Sequence, residues 1–171
     1  MQKGQWNVST SVRKITVAGL LGGIAVVLGA TSLGYIPTPW GLNITLMHIP
    51  VILGAVLEGP YVGMATGLIF GFSSFLTPRS PAMADPLVSV LPRLVIGITA
   101  YLAYKATGRE WVAAIVGTAT NTIGVLGMIL LRGYLPLDVV VRVAYTNGVL
   151  EIIVATLIVL AIVPTLKRLR D

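Results

Sequence analysis

Cysteine is absent from the 171 residues, which removes disulfides, thiolate chemistry and cysteine-ligated metals in one step. Charge is scarce: Asp, Glu, Lys and Arg make up 11% of the chain, against about 25% in an ordinary soluble domain. No charged residue occurs anywhere between Ile15 and Leu57, and His48 is the one histidine. A chain so poor in charge cannot cover a water-facing surface, so an ordinary soluble fold is excluded. Instead, 56% of the residues are hydrophobic and the mean hydropathy is +0.91. A helix crosses the hydrocarbon of a bilayer in about 20 residues. The composition is that of a multi-pass integral membrane protein of the all-α class.

Several chemistries are missing as well. The chain has no G-x-x-x-x-G-K-[ST], no H-E-x-x-H and no nucleophile elbow with a histidine partner. Asp85, Asp138 and Glu151 do not show metal-ligand spacing. No cofactor, no metal and no catalytic residue is therefore expected. The chain is not expected to be an enzyme, and as part of a transporter it needs a gradient, facilitated passage or an energised partner. The net charge of +6 lies largely in short patches between or beyond apolar segments, where membrane topology explains it better than nucleic acid does.

The turn residues divide the chain, taken as a single membrane domain over 1–171, into a compact bundle of six transmembrane helices at about 15–32, 42–57, 61–76, 86–104, 111–131 and 139–163. The breaks are Tyr35-Ile36-Pro37-Thr38-Pro39-Trp40-Gly41, Gly59-Pro60, Thr77-Pro78-Arg79-Ser80-Pro81, Lys105–Glu110 and Arg132–Asp138. The second segment rises only about 24 Å at 1.5 Å per residue, less than the hydrocarbon thickness of about 30 Å. Either flanking chain dips into the membrane there, or segments two and three form a re-entrant hairpin. Lys3, Arg13, Lys14, Lys105, Arg109, Lys167, Arg168 and Arg170 fall on the side of the termini, against Arg79 and Arg132 on the other. That asymmetry places both termini in the cytoplasm of a cell-membrane protein.

Polar residues inside apolar segments are expensive in lipid and mark cavities, pairs or helix contacts. Arg93 lies one to two turns inside the outer end of segment four, and Glu151 is in the middle of segment six with Asn147 four residues earlier. Arg142 and Tyr145 stand near the outer end of that segment, and Asn121 sits among threonines on segment five. Together with Arg79 they predict an outward-facing polar pocket for a small molecule with an anionic group. The competing reading is a structural Arg93–Glu151 pair with the asparagines as interhelical glue. Asn43 and His48 on segment two are further candidates, and Trp40 is either an interfacial anchor or a lid. Tyr35, Trp111 and Tyr134 read as interface aromatics. Small residues at helical spacing, Gly63/Gly67/Gly71 on segment three and Gly117/Asn121 on segment five, predict close packing within the bundle. Segment one carries more than one such stripe, Ala18/Gly22, Gly19/Gly23 and Ala25/Gly29, enough to serve the bundle and a partner protein.

These features resemble the substrate-binding S components of energy-coupling factor (ECF) vitamin transporters over essentially the whole chain. The resemblance is carried by Leu46-Met47-His48-Ile49-Pro50-Val51-Ile52-Leu53-Gly54-Ala55, by Glu58-Gly59-Pro60-Tyr61-Val62-Gly63 leading to Gly67–Gly71, and by Asp85-Pro86-Leu87-Val88-Ser89-Val90-Leu91-Pro92-Arg93. It is similar to the pantothenate-type branch. The resemblance implies vitamin capture from outside, followed by assembly with a transmembrane coupling protein and two cytoplasmic ATPases. It also implies docking through an Ala-x-x-x-Ala type motif on helix one; the matching stretch here is Ala18-Gly19-Leu20-Leu21-Gly22, with glycine in place of the second alanine, and Gly19/Gly23 is a second candidate stripe. Pantothenate is the first expectation for the vitamin. Its carboxylate would suit Arg93 or Arg79, and its hydroxyls Asn121 and Asn147. Cobalamin, pyridoxine, riboflavin or a precursor are alternatives within the family. A small membrane enzyme acting on a lipid-linked substrate, or a purely structural subunit, are alternatives outside it.

Overall fold

The computed structural model describes residues 8–37 and 43–168; Lys3, Trp40, Leu42 and Arg170 lie outside them. Along the described chain run α1 (Val8–Ala30), the strands β1 (Tyr35–Pro37) and β2 (Asn43–Thr45), α2 (Ile49–Glu58), α3 (Pro60–Leu76), α4 (Pro86–Ser89), α5 (Leu91–Thr107), α6 (Glu110–Leu131), α7 (Leu137–Val143) and α8 (Val149–Arg168). α4 continues into α5 through Val90, and α7 into α8 through one π turn, Ala144–Gly148. The result is six helical rods. Four of them, Ser11–Ala30, Pro86–Thr107, Glu110–Leu131 and Leu137–Arg168, are long and apolar enough to cross a membrane, whereas α2 and α3 are shorter apolar helices.

The second expected segment, 42–57, is corrected. Helix α2 starts only at Ile49, and Asn43–Thr45 is extended, paired antiparallel with Tyr35–Pro37 in the register Tyr35↔Thr45, Ile36↔Ile44, Pro37↔Asn43. Pro50 suits the first turn of a helix, where its missing N–H costs nothing, while β-branched Ile44 and Thr45 accept a strand. Other boundaries shift without a change of backbone type. α1 begins at Val8, segment four breaks at Val90, and segment six runs from Leu137 through Pro164 to Arg168.

Close packing in lipid comes from interlocking surfaces, since hydrocarbon gives helices little reason to avoid it. α3 crosses α5 where Gly63 meets Gly97 and Gly67 meets the carbonyl of Arg93, contacts that leave no space for a Cβ. Gly117 of α6 makes room for Ile52 of α2. The stripes expected to serve the bundle on segments three and five do so. α2 stands at the centre, with Val51, Ile52 and Ala55 fully buried against Ile96, Ala100, Ala113, Ala114, Ala155 and Val159.

Ion pairs and hydrogen bonds fasten the two ends differently. Where α1 starts and α8 stops, Arg13 pairs with Glu58 at 2.5 Å and Lys167 with Glu110 at 2.6 Å. At the opposite, hairpin end, Arg132 pairs with Asp85 at 2.6 Å and Arg79 donates to the carbonyl of Gly29 at 2.8 Å. That carbonyl is one of the last four of α1, which have no partner inside the helix.

Candidate functional site

The hairpin end encloses a cavity of about 250 Å³ between the β1–β2 hairpin, the end of α3, the 77–85 loop, α5, α6 and the α7–α8 rod. Five of the sequence candidates line it: Arg79, Arg93, Asn121, Asn147 and Glu151.

Arg93 is placed by its neighbour. In a continuous helix the amide of residue 92 would bond to the carbonyl of Val88, but Pro92 has no N–H and leaves that oxygen open. The Nη1 of Arg93 donates to it at 2.6 Å, its Nη2 meets the Met83 sulfur at 3.6 Å, and the guanidinium lies 5.2 Å from the centroid of the Phe70 ring. The residue is 6% exposed, and its Nε has no partner among the described residues. A buried donor of this kind is costly unless a ligand or water completes it. Arg79 adds a second guanidinium at the mouth, 4.4 Å over the Tyr35 ring.

Glu151 faces this from α8. Its Oε1 accepts from the Thr45 amide at 2.9 Å and the Thr45 hydroxyl at 2.6 Å, and its Oε2 accepts from the Thr122 hydroxyl at 3.3 Å. Glu151 is 6% exposed, yet its three hydrogen-bond donors all come from threonines, and Arg93 is not among them. The structural Arg93–Glu151 pair is therefore not what holds either side chain. Asn121 is buried at 7% exposure with its Oδ1 unpartnered, and Asn147 reaches the cavity from the π turn. One-turn π segments recur at functional sites because they re-aim the side chains around them. Val125, Leu126, Val143 and Met47 supply apolar wall between the polar groups.

The other candidates fall elsewhere. His48 is buried at the start of α2, with its Nε2 3.0 Å from the Thr118 hydroxyl, and does not line the cavity. Arg142 and Tyr145 are exposed and outside it. Height along the helix matched, but the inward stripe is Val143, Asn147 and Glu151, and neighbours one or two residues off that stripe turn away. Trp40 lies outside the described residues, and for Asn43 the structure describes only the backbone of β2. Ala18 and Gly22 face the bundle, where Gly22 packs against Ile69, while Gly19 and Gly23 open onto free space.

Tyr35, Thr45, Phe70, Ser73, Ser74, Met83 and Thr122 also line the cavity. Tyr35 thereby departs from its reading as an interface aromatic: the hairpin register sets it beside Thr45, and both reach the cavity. Ser73-Ser74 in an otherwise apolar helix, and Thr122 beside Asn121, were the available signals.

At the mouth, Asp85 caps α4 by accepting from the Leu87 amide at 2.9 Å and holds Arg132, with Tyr134 at 3.5 Å. The Leu87 amide, and then Arg132 and Tyr134, hold its carboxyl below the ordinary carboxylate range against the opposing effect of burial. This clip joins the 77–85 loop, which contributes Arg79 and Met83 to the cavity, to the segment after α6.

With this geometry in place, comparison with known proteins gives two matches. The family model described as "ECF transporter, substrate-specific component" matches residues 13–163. The pantothenic acid transporter PanT of Lactococcus lactis subsp. cremoris (strain MG1363) is 30% identical over 161 residues, covering 78% of this chain and 82% of that protein.

Proposed function

The chain belongs to the substrate-specific component family of ECF transporters, and from that premise we propose that it is a membrane-embedded pantothenate-binding subunit. The observation that carries the reading is the polarity of the cavity. A buried guanidinium with an unpartnered Nε stands on one side, and acceptors from Glu151 and Asn121 stand on the other. Pantothenate has a carboxylate at one end, hydroxyls at the other and a branched apolar centre. Its carboxylate completes Arg93 with Arg79, charge-assisted bonds that are shorter and stronger than neutral ones. Its hydroxyls meet Asn121, Asn147 and Glu151, and its methyl groups meet Val125, Leu126 and Val143.

The name of the lactococcal relative supports the same vitamin. Pyridoxine and riboflavin lack a carboxylate and would leave Arg93 uncompensated, a penalty that polar sites use to reject analogues. A cavity of about 250 Å³ is too small to enclose a corrinoid. An enzyme acting on a lipid-linked substrate gains no support. Asp85 is committed to Arg132 and Leu87, and Asp138 is exposed outside the cavity.

In this reading the hairpin end faces outward and both termini face the cytoplasm. The chain binds and relocates the vitamin without covalent chemistry, and a coupling protein with two ATPases supplies the energy. The open Gly19/Gly23 face of α1 suits close approach of a partner helix better than Ala18/Gly22, which the bundle already uses.

The test is equilibrium binding of labelled pantothenate to the purified full chain, with pantothenol, its carboxylate replaced by an alcohol, as competitor. Saturable binding with pantothenol at least about 100-fold weaker is expected, as for loss of a buried charge-assisted contact. Absence of pantothenate binding, or equal competition by pantothenol, overturns the assignment.

A further inference from the structure

We propose that Glu151 is a specificity-determining residue that makes this site accept the free vitamin and reject the derivative phosphorylated on its primary hydroxyl. The inference rests on the pantothenate reading above and adds the orientation of the ligand and the reason one end must stay uncharged.

The orientation follows from how the two kinds of group are anchored. Arg79 and Arg93 are held by the carbonyls of Gly29 and Val88, and the Glu151 carboxyl by Thr45 of the hairpin and Thr122 of α6. Arg79 is exposed at the mouth. The cationic donors and the carboxylate therefore line the same cavity from separate anchors. A ligand with one anionic end seats that end under Arg79 and Arg93 and sends its hydroxyl end toward Glu151.

The Glu151 end is built to accept. The Thr45 amide and hydroxyl and the Thr122 hydroxyl all spend their protons on the Glu151 carboxyl. The Oδ1 of Asn121 has no donor among the described residues. A hydroxyl has a proton to give and fits such a place. A phosphate brings acceptors and a negative charge to a carboxylate, and the three threonine donors beside it are already taken. Turning the ligand round to put the phosphate under the arginines leaves its carboxylate against Glu151, so neither orientation is satisfied. Juxtaposing like charges is how sites gain discrimination that attraction alone does not give.

The reason is charge and not size, which the experiment can separate. Displacement of labelled pantothenate from the purified full chain is measured with three competitors: pantothenate, its primary-hydroxyl phosphate ester and its primary-hydroxyl methyl ether. The wild-type chain is expected to bind the phosphate ester about 100-fold or more weakly than pantothenate, and the methyl ether within about 10-fold. In Glu151→Gln, whose amide oxygen can still accept from Thr45, pantothenate should weaken while the phosphate ester gains, narrowing their ratio by at least about 10-fold. A purely structural role for Glu151 would weaken both competitors alike. Equal binding of the phosphate ester and pantothenate by the wild-type chain overturns the inference, and so does rejection of the ester undiminished in Glu151→Gln. Rejection of the methyl ether as strongly as the phosphate ester overturns it too, since size would then be the cause. Failure of pantothenate itself to bind strikes the parent reading instead, and is read from the first competitor.

Discussion

The two halves of the molecule differ in how they treat the backbone. Toward the end where α1 starts and α8 stops, the helices run without interruption to tight turns at Gly59 and Gly108, and α2 fills the centre with apolar side chains. Toward the hairpin end every rod but α1, α3 and α6 departs from a regular helix: α2 gives way to β2, α4 breaks from α5 at Val90, and α7 joins α8 through a π turn. Irregular backbone at membrane depth is tolerable only where protein or a wet cavity shields it. Here the freed backbone groups also position the site. The carbonyl left open by Pro92 holds Arg93, the amide of Thr45 in the hairpin holds Glu151, and the last turn of α1 holds Arg79. One half is solid because apolar side chains fill it, and the other can hold a ligand because freed backbone groups there place polar side chains around a cavity.

The largest effect expected from this contrast is at Arg93. Arg93→Ala removes the guanidinium and strands the Val88 carbonyl, and pantothenate affinity should fall about 100-fold or more, as when one partner of a buried charged contact is deleted. Isothermal titration together with thermal unfolding of the same sample separates lost binding from lost fold. Unchanged affinity would break the assignment of the cavity's cationic side.

In the solid half, Ile52→Ala should act the other way round. The space that Gly117 leaves for Ile52 would become a void. In lipid the cost is chiefly lost packing, about 2 kcal/mol on the cavity scale. Thermal unfolding in detergent should register it, while the affinity of the folded fraction stays within about twofold of wild type. A comparable drop in affinity would show that the halves are coupled rather than divided.

Pro92→Ala sharpens the comparison at a single bond. The new amide can bond to the Val88 carbonyl and compete with Arg93 for it, regularising the helix. Stability should hold or rise while affinity falls about tenfold, the scale of a misplaced binding group. A binding titration alongside a melting curve checks both, and a parallel loss of the two would mean that Pro92 serves packing and not placement.

How much of this could be read from the sequence follows the same division. The rods are legible because apolar runs and Gly/Pro breaks are local signals, and Arg79, Arg93, Asn121, Asn147 and Glu151 stand out because polar groups are rare in such runs. Tyr35 and Thr45 were not legible as partners, since their meeting depends on the antiparallel register of two three-residue strands, which no local pattern in the sequence states. His48 drew notice as a lone histidine but is satisfied in part by Thr118 beneath the cavity. Arg142 and Tyr145 shared the right height with the site and lacked the right angle, which a sequence states only if the helix is regular; a π turn intervenes just there.

The smallest expected effect lies at the mouth, where the Asp85–Arg132 clip joins two loops beside the apolar cluster of Ala82, Val88, Ile129 and Val140. Asp85→Asn keeps the cap on the Leu87 amide but loses the ion pair, so affinity should fall only a few-fold, chiefly through faster release as the loop bearing Arg79 and Met83 loosens. The pH dependence has a definite sign. Because the Leu87 amide, Arg132 and Tyr134 depress the folded-state pKa of Asp85, the clip's contribution is complete above the ordinary value for an unfolded aspartate, about 3.9, and fades only as pH falls through the lower folded value. Release rates of the wild-type chain should therefore show no step from this group at mildly acid to neutral pH, and those of Asp85→Asn should sit at one raised level throughout. A step in the wild-type release rate between about pH 5 and 7 that Asp85→Asn abolishes would mean that the carboxyl is not held as an acceptor, and that the mouth is far less fixed than the geometry of Leu87, Arg132 and Tyr134 requires.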